Sequence, residues 1–236
     1  MADPHRGLDA VLLDAGGTLI ESHPSPAEVY TRVMAGHGLQ VDAADVASTF
    51  RSVWSEVTQE HPRGLDRYHR LKGGERAWWG RFVQRVMERL GVEAPWQPIL
   101  EELFEAFADP SAWQVFPEVR EVLGGLRERG LRLAVVSNWD SRLPALLDGL
   151  GLDGFFDALL VSAVEGVEKP SPEIFLRAAE RLGVPPERCL HAGDSPLDDV
   201  RGAESAGIVP VLVDRAWIFE DGYQRVRDLR GLYGFV

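Results

Sequence analysis

Short apolar runs alternate with amphipathic stretches along most of this chain, and the runs end alike. Leu8-Asp9-Ala10-Val11-Leu12-Leu13 leads into Asp14 and then Gly16-Gly17, the form of a buried parallel strand entering its exit loop. Leu131 to Val136 runs into Ser137-Asn138, Ala158 to Val161 into Ser162, Cys189 to Ala192 into Gly193-Asp194, and Ile208 to Val213 into Asp214. Helical periodicity fills the intervals near Glu118–Arg129, Arg142–Leu150, Pro172–Leu182 and Leu197–Ala206, each followed by a glycine. Strand and helix in alternation predict a parallel, doubly wound α/β sheet. Ligands of such sheets bind at the carboxyl ends of the strands, where Asp14, Ser137, Asn138 and Asp194 would meet.

From about Pro24 to Asp109 the alternation stops and the pattern is helical, punctuated at Gly36-His37-Gly38, Gly73-Gly74 and Ala94-Pro95. The expectation is an inserted helical domain over residues 23–111, with the α/β core formed by 1–22 and 112–236. Phe50, Trp54, Trp78, Trp79, Phe82, Phe104 and Phe107 read as the core of that insert.

Composition narrows the functional classes. A formal charge of −12 opposes binding to nucleic acid or anionic lipid, so an anionic substrate needs local cations or a metal. One cysteine gives no internal disulfide, and neither a signal peptide nor a long apolar run occurs; the expectation is a cytoplasmic protein with small-molecule partners and no membrane association. Only two of the 25 basic residues are lysines, Lys72 and Lys169, so each merits a place in the argument.

Four motifs fall in order at strand ends: Asp14-Ala15-Gly16-Gly17-Thr18-Leu19, Ser137-Asn138, Lys169-Pro170-Ser171-Pro172 before Ile174-Phe175, and Gly193-Asp194-Ser195-Pro196-Leu197-Asp198-Asp199. Together they resemble the motif set of the haloacid dehalogenase (HAD) superfamily, in its phosphatase branch. The resemblance covers roughly Gly7–Ile20 and Val115–Asp214, and the insert stands where that superfamily carries its type-one cap. It implies a Rossmann-like core, Mg2+ as cofactor, a small phosphorylated substrate and an aspartyl-phosphate intermediate.

By the same resemblance Asp14 is the nucleophile and Lys169 holds both it and the phosphoryl group. Ser137 and Asn138 would donate to phosphoryl oxygens, Thr18 would tie the flap to the first loop, and the amides around Ala15 and Gly16 would face the phosphate. Asp14, Asp194, the carbonyl of Gly16 and Asp199, directly or through water, would hold the metal. The chemistry is consistent: a carboxylate attacks phosphorus only when the phosphate charge is offset, which a hard cation held by oxygens achieves. Asp198 would interact with a helix N-terminus instead.

One position departs from the family. Its phosphatases usually carry a second aspartate two residues after the nucleophile, to protonate the leaving oxygen, and here that residue is Gly16. The gap leaves several readings open. One is a phosphatase for aryl or acyl phosphates, or one taking its acid from His61, His69 or Glu75 of the insert. A 2-haloacid dehalogenase needs no acid there but resembles this chain less in the fourth motif and at Phe175. A phosphonoacetaldehyde-type hydrolase would use Lys72 as a Schiff base; a binding protein would have little turnover. Cys189 and His191 read as strand packing residues, His5, His23 and His37 lack metal-ligand spacing, and Trp139-Asp140 either lines the site's mouth or begins a helix.

Overall fold

The computed structural model describes residues 7–60, 62–69, 71–219 and 222–236. Its main sheet has six strands, all paired in parallel. In chain order the strands are β1 (Ala10–Leu13), β2 (Ile20–Ser22), β3 (Trp113–Val115), β4 (Arg132–Ser137), β5 (Ala158–Val161), β6 (Cys189–Gly193), β7 (Val209–Val213) and β8 (Arg225–Val226). The main sheet runs β5-β4-β1-β6-β7-β8, and β2 pairs with β3 as a separate ribbon. β1 is therefore central, with Leu13 opposite Val135 on one side and Ala192 on the other. The five expected strands are present; the two-residue edge strand β8 and the ribbon were not foreseen, being too short to carry a period.

The chain divides into two compact units, one of Ser22–Gln114 and one of the remaining described residues. The sequence placed these limits at 23 and 111. The first unit contains helices α1 (Pro26–Gly36), α2 (Ala43–Gln59), α3 (Gly74–Arg89) and α4 (Trp96–Ala106). A capping box opens α1: Ser25 accepts from the Glu28 amide while the Glu28 carboxylate accepts from the Ser25 amide. Trp78 and Phe82 are buried and stacked, and Phe50 meets Phe82 edge-on at 4.9 Å, whereas Trp54 is 36% exposed and lies under the Arg67 guanidinium. Most of the expected aromatic core is thus packing, with Trp54 at its rim.

The α/β unit carries α5 (Val119–Glu128), α6 (Leu143–Gly149), α7 (Ser162–Glu165), α8 (Pro172–Leu182) and α9 (Gly202–Ser205). α8 illustrates the local logic. Ser171 caps it by accepting from the Glu173 amide, Pro172 occupies the first turn, and Gly183 ends it at φ +65°. Its buried stripe of Ile174, Phe175, Ala178, Ala179 and Leu182 packs on one sheet face, together with Ala10, Leu12, Ala134 and Val136. Burial of β1 on both faces explains why Ala-Val-Leu-Leu shows no alternation. The helix expected over Leu197–Ala206 is a wide π-type turn, Pro196–Arg201, followed by the single turn of α9. Such wide turns occur frequently at functional sites.

Candidate active site

The ladder that pairs β1 with β6 continues one residue past the strand, where the Asp14 amide donates to the Ala192 carbonyl at 3.0 Å. This fixes Asp14 at the carboxyl edge of the sheet. Its Oδ1 accepts from Ser137 Oγ, at the end of β4, at 2.9 Å and from Lys169 Nζ at 2.7 Å. Its Oδ2 accepts no hydrogen bond among the described residues. Lys169, 3% exposed, donates also to Asp199 Oδ1 at 2.6 Å and so joins two carboxylates.

Asp199 gives that same oxygen to His191 Nε2 at 2.8 Å and its Oδ2 to the Ser195 amide at 2.9 Å. Because a carboxylate only accepts, Nε2 is the donor. His191 reads from the sequence as a buried, hydrogen-bonded packing residue of β6, and it is fully buried and edge-on to Phe175, its hydrogen bond orienting Asp199. A donor within reach of the catalytic edge was the signal available in the sequence. The Cys189 thiol, pushed up to about 12 by burial, is a core group.

Electrostatics follow from this burial. Desolvation raises the pKa of Asp14 and the charge of Asp199 adds to the rise, against the pull of Lys169 and Ser137. Burial works against the Lys169 cation, but Asp14 and Asp199 outweigh it and hold the amine protonated. Asp199 is lowered despite its burial, by Lys169 and then His191. Asp194 is pushed up to about 7, first by the protein crowding around it and then by Asp14 and Asp199, although its exposure to solvent tempers that rise.

Asp14, Asp194 and Asp199 each bring a carboxylate oxygen within 4.8 Å of the others. Three oxygens so close, with one member driven toward neutrality, suit a hard divalent cation. Two glycines make the cluster possible. Gly17 has φ +73° and a side chain there would overlap the Asp194 carboxylate, while one on Gly193 would overlap that of Asp199.

Three expected contacts differ. Asn138 does not present its amide to the site alone: Nδ2 donates to the Lys169 carbonyl at 2.9 Å and Oδ1 accepts the Lys169 N–H at 2.7 Å, leaving one amide hydrogen. Ser137 directs its hydroxyl to Asp14, which positions the carboxylate. Thr18 is fully buried and its Oγ1 has no partner among the described residues, so it makes no side-chain tie. The flap is held instead by backbone bonds, from Gly17 N to Ile20 O and from Leu19 and Ile20 N to Ala15 O, and by the Arg215 guanidinium, which donates to the Gly17 and Thr18 carbonyls. Ala15 is buried and Gly16 half-buried.

Among the remaining candidates, Lys72 is exposed, His69 Nδ1 lies 2.8 Å from Asp66, and His61 and His5 fall outside the described residues. Asp140 is buried and accepts from the Arg142 backbone and side chain. Trp139 is half-buried, and its backbone is anchored at both polar groups: its N–H donates to Ser137 O, and its carbonyl accepts from Ala163 N and Ser162 Oγ. Among the described residues no helix is long and apolar enough to cross a membrane.

A doubly wound parallel sheet whose carboxyl edge gathers a lysine-clamped aspartate and two further acids is the architecture of a hydrolase of the α/β class. The family model for haloacid dehalogenase-like hydrolases matches residues 8–207, and the chain belongs to that family. It is 38% identical over 204 residues to haloacid dehalogenase-like hydrolase domain-containing protein 3 of Bos taurus, covering 85% of this chain and 79% of that one. It is 32% identical over 216 residues to glyceraldehyde 3-phosphate phosphatase of Methanopyrus kandleri, covering 88% and 84%. The HAD-hydrolase YfnB of Bacillus subtilis, in a structure bound to magnesium, shares the fold with a TM-score of 0.80 at 18% identity, covering 97% and 98% of the two chains.

Proposed function

We propose that the protein is a magnesium-dependent phosphatase for a small phosphorylated compound, with Asp14 as nucleophile. The observation that carries this reading is the asymmetry of the Asp14 carboxylate, whose Oδ1 is held by Ser137 and Lys169 while Oδ2 accepts no hydrogen bond among the described residues. Similarity to a phosphatase over most of the chain supports phosphorus as the centre attacked.

Asp14 and Asp194 would hold magnesium, with Asp199 and the Gly16 carbonyl completing the set. When bound, the cation would offset charge between the acids and the phosphoryl group. A free Asp14 oxygen forms the bond to phosphorus as the bond to the leaving oxygen breaks. Lys169 stays protonated throughout, fixing the carboxylate's orientation and screening the added negative charge. Ser137 holds the carboxylate before attack, and its hydroxyl can turn to a phosphoryl oxygen afterward. Water then cleaves the aspartyl phosphate and restores Asp14.

The test is phosphate release from an aryl phosphate and from a panel of alkyl and acyl phosphates, with magnesium or with chelator, alongside Asp14→Asn. Release should require magnesium and fall by about 10⁴-fold or more in the variant. Release that persists in Asp14→Asn overturns the assignment, and halide release from 2-haloacids without magnesium replaces it.

A further inference from the structure

Gly16 lacks more than a proton donor: the space where its side chain would start is crowded. A Cβ on Gly16 would lie 3.1 Å from Cζ3 of Trp139, with Cε3 and Cη2 at 3.9 Å. That separation is tighter than ordinary carbon contacts, so an acid at 16 and the indole at 139 compete for one volume. The two residues have matching addresses. Gly16 follows the nucleophile by two positions and Trp139 follows Ser137 by two, and the ring stands over the loop that carries the attacking carboxylate. The main chain that carries the ring is held there, since both backbone polar groups of Trp139 are hydrogen-bonded.

We infer that Trp139 determines specificity by replacing the proton donor with an aromatic wall, so that the site takes phosphate esters whose leaving group is a planar aryl oxygen. This rests on the phosphatase reading. Two independent physical reasons converge on the aryl class. A half-buried indole offers a face or edge for another ring. An aryloxide also departs as an anion, so its loss needs little help from an acid. In the first step an Asp14 oxygen bonds to phosphorus as the P–O(aryl) bond breaks, and the electron pair leaves on the aryl oxygen, which takes its proton from solvent water. In the second, water attacks phosphorus, the pair of the P–O(Asp14) bond returns to the carboxylate, and orthophosphate departs.

Binding of non-hydrolysed probes separates this inference from the reading beneath it. Phenylphosphonate and ethylphosphonate are titrated into the full chain with magnesium by calorimetry, for the parent, Trp139→Phe and Trp139→Leu, each checked by its melting curve. Phenylphosphonate should bind about 3- to 10-fold tighter than ethylphosphonate in the parent and in Trp139→Phe, and the ratio should fall toward one in Trp139→Leu. Should the leucine variant not fold, Trp139→Met gives the same comparison. Equal binding of both probes by the parent, or a preference that survives loss of the ring, overturns the inference alone. Binding of neither probe overturns the phosphatase reading and this inference with it.

Discussion

The side-chain amide of Asn138 clasps the backbone of Lys169 from both sides, Nδ2 donating to its carbonyl at 2.9 Å and Oδ1 accepting its N–H at 2.7 Å. Residues 31 apart in sequence are thereby fixed in register, and the ammonium of Lys169 is aimed at Asp14 and Asp199. Asn138→Ala should lower kcat by roughly 10- to 100-fold with little change in KM, because a displaced lysine misaligns Asp14, the proposed nucleophile. A matching loss in KM and none in kcat would make Asn138 a substrate contact instead.

Lys169 neutralises two buried carboxylates, so its removal should be felt in folding as well as in turnover. Lys169→Met is expected to lose about 3–5 kcal/mol in urea denaturation without metal, since Asp14 and Asp199 are left facing each other. Magnesium should return part of that loss by supplying charge to the same acids. A variant as stable as the parent in chelator would mean that the acids are protonated or hydrated instead.

Asp194 gives the metal-free protein a pH dependence. Its carboxyl is raised from an ordinary value of 3.8 to about 7, so between those values the folded state holds a proton that the unfolded chain has lost. Stability of the metal-free form should therefore decline as pH rises through that window. On the proposed metal site magnesium would bind the ionised acid, so its affinity should rise from pH 6 to pH 8 with release of a proton. Calorimetry in buffers of different ionisation enthalpy measures both, and a flat affinity with no proton release would contradict the shift.

Gly16→Asp alone should restore less activity than it does beside a smaller residue 139, because its Cβ would lie 3.1 Å from the indole and the ring must give to admit it. Combined with Trp139→Leu, it should raise turnover of alkyl phosphates, up to about 10²-fold, and of aryl phosphates much less, since only the former need a protonated leaving group. Equal gains for both classes in the double variant would count against a missing acid as the reason for selectivity.

Much of this architecture was legible because its signals are local. The runs ending in Asp14, Ser137, Val161, Ala192 and Val213 announce buried parallel strands through composition and length, and the phase of Ile174, Phe175, Ala178 and Leu182 announces the helix that covers them. β8 was not legible, as two residues at a sheet edge have no period and pair only because β7 is already there. The turn at Pro196–Arg201 reads as an α-helix from spacing. Its wider coil accompanies the return of the Asp199 carboxylate to the Ser195 amide, a bond that exists only within the folded loop.

By itself the sequence determined which chemical groups stand at the strand ends, since the alternation of strand and helix dictates where a parallel sheet gathers its carboxyl termini. It also determined that the site lacks an acid at Gly16. Tertiary structure decided how those groups are shared: Ser137 on Asp14, Asn138 on Lys169, His191 on Asp199, and the Trp139 ring in the space beside Gly16. Hydrogen-bond partners and excluded volume depend on distances between residues far apart in the chain, and a linear pattern of polar and apolar positions does not encode those distances.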